Sequence, residues 1–346
     1  MSELKDFKCP NCSGALVFDT KSQKLKCPYC EGTFDPEVFN EGANYTVNNE
    51  EWADDNIIVY SCKSCGGAIM ADKDTAATSC PYCGNPVVMT SNVSGVFKPK
   101  KIIPFMFNKK QAKERYKKHL LNKYLLPKAF TSEAVIDEIK GIYVPYWLFD
   151  GKANARMWFD ATRVRYYTEG DYDCTETSYY KLFRAGSVRF SDIPVDASSK
   201  IDDELTQSIE PFDNREAKDF SSNYLAGYIA DKYDVGVVES RETANARISN
   251  STSALFTSTT AGYDSVVPTS SSIAISEGNQ EYVMYPVWLL NVKYNGKTYS
   301  FAMNGQTGKF VGDLPYDSSK LTGTMIAVFV GVTLLGCIIQ YLMMMR

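Results

Sequence analysis

With 346 residues the chain is long enough for two or more domains, and its 44% hydrophobic and 23% charged content is that of a globular protein. Its single histidine excludes metalloprotease motifs built on a histidine pair. The formal net charge of −4 hides an uneven distribution along the chain.

Eight of the ten cysteines form C-x2-C pairs: Cys9/Cys12, Cys27/Cys30, Cys62/Cys65 and Cys80/Cys83. The second four repeat the first four 53 residues later, and each half reads C-x2-C-x14-C-x2-C. That is zinc-ribbon spacing, in which two thiolate pairs close a tetrahedron around one Zn²⁺. Two structural Zn²⁺ sites are therefore expected, one on Cys9, Cys12, Cys27 and Cys30 and one on Cys62, Cys65, Cys80 and Cys83. Pro10, Pro28 and Pro81 preset φ in three of the four turns, and Gly14, Gly32, Gly66 and Gly84 follow the second cysteines, where positive φ is expected. Lys8, Lys26 and Lys63 offset the negative charge of a four-thiolate site. The repeated register argues against redox pairs, and no signal peptide precedes the cysteines, which argues against a disulfide framework. A closed Cys₄ site has no open coordination position, so it does no chemistry and holds together a segment too small for its own core.

Glu41 to Asp55 reads as a linker between the ribbons. Val96 to Lys128 then carries eleven Lys/Arg against one acid, Glu114. Within it Lys109 to Leu126 reads as a helix capped by Asn108 with Gln111 three residues on, and with Ala112, Tyr116, Leu120 and Tyr124 as its apolar stripe. Its lysines Lys109, Lys110, Lys113, Lys117 and Lys118 suit a solvated face, anionic lipid headgroups or nucleic-acid phosphates. His119 is expected at the surface and not as a ligand. A second short helix follows Thr131 or Ser132 and ends at Gly141.

From Ile142 the pattern turns β-rich. Ile142 to Asp150 and Tyr282 to Asn291 both hold Pro-x-Trp-Leu in an apolar run, which points to two related strands of one sheet with proline at an edge or bulge. Arg163 to Phe183 and Gly186 to Ile193 also read as strands, and Ile201 to Ile209 and Val235 to Phe256 as helical. Ser249 to Thr260 and Thr269 to Ser272 read as fraying ends or solvated loops. Asn295-Gly296 is a hairpin turn, and Asn304 to Gly308 the next turn. Gly305 to Lys309 lacks the spacing of a phosphate loop, Cys174 has no histidine near it in sequence, and Asp171/Asp173 and Asp202/Asp203/Glu204 lack a calcium-loop pattern. No catalytic constellation is present, and a non-enzymatic role is expected.

Leu321 to Met345 contains no charged residue, and its 21-residue core from Met325 spans roughly 31 Å as a helix, the thickness of a bilayer core. Cys337 is an apolar filler in that helix. Thiolates holding zinc require a reducing compartment, so the bulk of the chain is expected in the cytoplasm, single-pass in the cell membrane with the C-terminus outward.

The ribbons, Ile103-Pro104-Phe105, the two tryptophan strands, Asn304 to Lys309 and Gly312 to Pro315 together resemble a YdjG-like bacterial family of TFIIB-type double zinc-ribbon, single-span membrane proteins. Members are sometimes labelled PriA-type helicases, but this chain has no P-loop to drive one. The resemblance implies an adaptor that brings a soluble partner to the membrane, with SPFH (flotillin-like) or PspA-type proteins as that partner. The expected architecture is multi-domain: zinc ribbon 1 over 1–45, zinc ribbon 2 over 46–92, a short basic helical segment over 93–141, an α+β, β-rich domain over 142–318, and a transmembrane helix over 322–345. The rival expectation is a zinc-ribbon nucleic-acid-binding protein that uses the basic helix.

Overall fold

The computed structural model describes residues 9–12, 14–36, 51–62, 64–72, 80–82 and 88–344, with the side chains of 51–56, 72 and 88–97 left aside. Two sheets organise the chain. A small antiparallel sheet of β1 (Val17–Asp19), β2 (Lys24–Lys26) and β3 (Thr33–Phe34) carries the first cysteine module. The second module joins the other sheet, which has eleven strands. Its β4 (Glu51–Ser61), β5 (Ala68–Asp72) and β6 (Val88–Phe97) lie side by side at one end. Glu51 to Asp55, read as linker, therefore begins a strand, because β6 supplies a ladder partner. The rest of that expected linker lies outside the described residues.

After β7 (Lys101–Ile102), α1 (Lys109–Leu120) starts with a complete capping box: Gln111 N–H donates to Asn108 Oδ1 and Asn108 N–H to Gln111 Oε1, both at 2.9 Å. Ala112, Tyr116 and Leu120 form its buried face, but the helix stops at Leu120 and not at Leu126. Asn122 takes a left-handed φ of 63°, which asparagine tolerates, and turns the chain so that Tyr124 is exposed instead of extending the stripe. Ser132 caps the short α2 (Glu133–Asp137), accepting from Val135 N–H.

The body is built on three long strands. β8 (Lys140–Glu169) pairs on one side with β12 (Ser265–Tyr294) and on the other with β9 (Tyr172–Asp196). The two Pro-x-Trp-Leu runs are antiparallel neighbours, with Trp147 opposite Tyr282 and Trp288 opposite Gly141. Both prolines fall where a ladder ends. The Pro145 carbonyl accepts from Ala197 just past β9, and the Pro286 carbonyl from Gly305 just past β13 (Lys297–Asn304), so neither missing N–H breaks a strand pair. The Asn295-Gly296 hairpin joins β12 to β13, with positive φ at both residues.

The sheet extends through β10 (Lys218–Asp219) on β7 and β14 (Phe310–Gly312) on β13. On the other side β11 (Ile229–Asp231) bridges β8 and β5, which carries the body into the second cysteine module.

Beyond Phe149 the three long strands continue as an arm. Its inner face, Ala153, Ala155, Met157, Phe159 and Ala161, is covered by α4 (Val237–Ser258), with Ile248 over Gly151 and Phe256 in the cluster further out. Gly151 lets the helix approach, since a Cβ there would lie 2.8 Å from Ile248 Cδ1. Two segments expected as loop or fray are ordered here. The hydroxyls of Thr252 and Thr257 bond back to the carbonyls of Ile248 and Ser253, so they do not compete with the helix. Ser270 to Ser272 pair with Trp158, Met157 and Arg156 in the β8 ladder. α3 (Asp203–Ile209) is capped by Asp202, and the chain ends in α5 (Ser318–Met344), which has no buried residue.

Candidate metal centres

Three of the four cysteine turns are closed by their own backbone. Cys9 N–H donates to Gly14 O at 2.7 Å, Cys27 N–H to Gly32 O at 2.9 Å and Cys62 N–H to Gly67 O at 2.9 Å. These bonds fold each turn so that its two sulfurs face one point. The glycines do less than expected: Gly66 has positive φ (71°), but in the Cys27–Cys30 turn Glu31 takes that conformation itself (58°).

In the first module all four sulfurs lie within 4.8 Å of one another, with Cys9 to Cys30 and Cys12 to Cys27 at 3.4 Å. A tetrahedron with metal–sulfur distances of about 2.3 Å requires sulfurs roughly 3.8 Å apart, far beyond the ~2.05 Å of a disulfide. The cluster fits a tetrahedral thiolate metal. In the second module Cys62, Cys65 and Cys80 converge in the same way, with Cys65 to Cys80 at 3.6 Å. Cys83, the fourth expected ligand, lies outside the described residues, as do Lys8, Lys63 and Gly84.

The electrostatics agree. Backbone N–H groups, Cys30 first and then Tyr29, point at the Cys27 sulfur and lower its pKa to about 6. Cys30 is also held by a backbone N–H, from Gly32, yet its thiol neighbours, led by Cys9, and burial outweigh that and push it up to about 12. Four crowded thiols cannot all ionise on their own, and a divalent cation removes that conflict. A metal bound here would be held by four thiolates, with no position open to substrate.

The other cysteines stand apart: Cys174 is on the arm and Cys337 in α5. His119 packs on Phe310 with ring centroids 5.0 Å apart. The Asn304 to Gly308 turn is structural. Asn304 Nδ2 donates to the carbonyls of Ile209 and Pro211, and Gln306 both donates to and accepts from the Asp213 backbone. Asp202 spends its carboxylate capping α3, while Asp171 and Asp173 sit exposed at the arm tip.

Compared with known proteins, the chain is 37% identical over 338 residues to the uncharacterized protein YdjG of Bacillus subtilis (strain 168), covering 98% of each sequence. The chain belongs to the YdjG family. No family model matches it, and no solved structure does.

Two features of this YdjG-family chain escaped the sequence reading, and both hold the cysteine modules to the body. Asn291, at the end of a tryptophan strand, donates through Nδ2 to the carbonyls of Pro81 (2.9 Å) and Tyr82, inside the Cys80 turn. Tyr82 in turn lies beside the buried Asp231, which Ser198 links to the half-buried Asp196. Asp196 accepts from Ser198 N–H at 2.9 Å, and the Ser198 hydroxyl donates to Asp231. Asp196 Oδ2 and Asp231 Oδ1 have no partner among the described residues. Burial is the main cause that raises their pKa values, to about 8 for Asp196 and about 7 for Asp231. The first module docks differently: Gln23 Nε2 donates to Phe105 O at 3.0 Å, Asn223 Nδ2 to Pro36 O at 2.8 Å, and Phe18 packs on Tyr224. No single residue in these contacts carries a motif; only the fold brings them together.

Proposed function

We propose that the chain is a membrane-anchored, non-enzymatic zinc-ribbon adaptor. The two cysteine modules hold structural Zn²⁺, α5 spans the cell membrane, and the bulk of the chain presents a docking surface to a protein in the cytoplasm. The observation that carries this reading is a separation of ends. α5 is 27 residues of apolar helix with no contact that buries it, and it leaves the body against the Leu125–Leu126 segment that follows α1. The arm runs to the opposite end of β8, a strand roughly 100 Å long.

On the solvent face of that arm Trp158 and Phe183 are cross-strand partners with ring centroids 4.7 Å apart, and they stay 47% and 45% exposed. Lys152, Arg156, Lys181 and Arg189 occupy the same face in register. Asp160, opposite Lys181, is an acid on that face, and an aromatic pair with an excess of cations about it favours an acidic protein surface. The family resemblance points to SPFH- or PspA-type proteins as the partner.

The nucleic-acid reading has less support, since Lys113 and Lys117 of the basic helix are paired with Asp137 (2.5 Å) and Glu133 (2.6 Å). Two experiments test the proposal. Deleting residues 321–346 should move the protein to the soluble fraction. Cross-linking in cells should join the full chain to a cytoplasmic protein, and Trp158→Ala with Phe183→Ala should abolish that adduct while leaving the metal content unchanged. Retention of the truncated chain on membranes, or an adduct indifferent to the arm, would refute the respective half.

A further inference from the structure

The junction between body and α5 is not a free hinge. Asp317 N–H donates to Leu125 O at 2.8 Å, and Lys320 Nζ to Leu126 O at 2.6 Å. Asp317 Oδ1 also caps α5 by accepting from the N–H groups of Ser319 (3.0 Å) and Lys320 (3.2 Å). The first turn of the apolar helix is thereby fixed against the loop that follows α1.

That loop and the approach to α5 are unusual for a solvated surface. Leu121, Tyr124 and Tyr316 are 63%, 66% and 63% exposed. Around them Lys118, Lys123 and Lys128 are exposed and form no ion pair among the described residues, unlike Lys113 and Lys117 of α1. Amphipathic tyrosines and unpaired lysines within reach of a span's first turn are the composition of a headgroup layer. The uncharged run begins at Leu321, one residue beyond the Lys320 contact, so the loop is held at the level where a bilayer's polar region would start.

We propose that Leu121, Tyr124 and Tyr316, with Lys118, Lys123 and Lys128, form a collar that seats the body on anionic phospholipid headgroups. This rests on the reading of α5 as a span. It adds that the body has a preferred face toward the membrane, so the first helix after β7 lies at the lipid surface.

The test uses the full chain in nanodiscs of mixed phosphatidylcholine and phosphatidylglycerol, with retained lipids counted by native mass spectrometry. The collar predicts enrichment of phosphatidylglycerol over the bulk ratio. Each lysine near an anionic surface contributes a factor of about five, so Lys118→Gln, Lys123→Gln and Lys128→Gln together should cut the enrichment at least tenfold, and raised salt should weaken it in the wild type. Lys181→Gln on the arm should leave it unchanged. Incorporation without enrichment, or enrichment that survives the triple substitution, overturns the collar alone. Failure of the full chain to enter nanodiscs overturns the span reading and the collar with it.

Discussion

The two cysteine modules share one spacing and differ in how they are embedded. The first builds a private three-stranded sheet and meets the body without joining its sheet: Phe18 packs on Tyr224 and its N–H donates to Ala226 O at 3.2 Å, Gln23 donates to the Phe105 carbonyl, and Asn223 donates to Pro36 O. The second has no private sheet. Its β5 lies between β4 and β11, and β11 pairs directly with β8 at Ile142 and Tyr143. Identical ligand chemistry thus does two jobs. In one module the metal would organise an appended unit; in the other it would close the end of the main sheet. The cause lies in the residues between the cysteine pairs. Ala68-Ile69-Met70-Ala71 is buried enough to join a large sheet, whereas Val17-Phe18-Asp19 and Lys24-Leu25-Lys26 alternate and bury one face only.

Loss of a metal ligand separates the two most sharply. Cys9→Ser should remove one metal equivalent and loosen residues 9–36 while the body's melting transition stays in place. Cys62→Ser should remove the other and lower the body's transition as well, because the energy of a structural metal, on the order of 10 kcal/mol in apparent terms, is then coupled to β4 and β5. Calorimetry with hydrogen exchange reads both; equal effects on the body would erase the distinction.

Phe105→Ala comes next. Phe105 is fully buried, stacked on Tyr228 at 4.2 Å and edge-on to Trp288, with its carbonyl held by the first module. Its truncation should cost about 3–5 kcal/mol in urea unfolding. Asn291→Ala removes the donor from two carbonyls of the Cys80 turn and should cost about 1–3 kcal/mol, with faster exchange confined to the second module.

The last effect is pH dependence, spread over several pH units. Asp196 and Asp231 bind protons more tightly folded (pKa about 8 and about 7) than an unfolded aspartate does at about 3.9. Between those values the native state holds more protons, so stability is complete below about pH 4 and declines as pH rises through 7 to 8. From pH 6 to 8 the loss should be roughly 3–4 kcal/mol, and Asp231→Asn should remove about a third of it. A stability that rises over that interval would contradict the assignment.

Much of this was legible in the chain. The cysteine register located the sulfur clusters, Asn108 and Gln111 announced the α1 cap, and the Pro-x-Trp-Leu echo marked neighbouring strands, since each signal is local and has one physical meaning. What was hidden depends on partners far away in sequence. Ser270 to Ser272 look like loop until β8 offers them a ladder, and Ser249 to Ser258 look frayed until α4 finds the arm to cover. The acid pair was invisible because nothing in Asp196 or Asp231 alone foretells burial. Asp202 was the reverse case: weighed only as part of an acidic cluster without a calcium-loop pattern, it was a cap signal in plain sight.

The central claim is that both modules are closed tetrathiolate metal sites that hold structure and do no chemistry. Metal analysis of the purified full chain, with thiols titrated by a mercurial reagent, tests it most directly. The account predicts two Zn²⁺ per chain, released as the eight paired cysteines react, with no disulfide among them. Metal-free protein that retains the folded body, with those cysteines oxidised to one another, would contradict it.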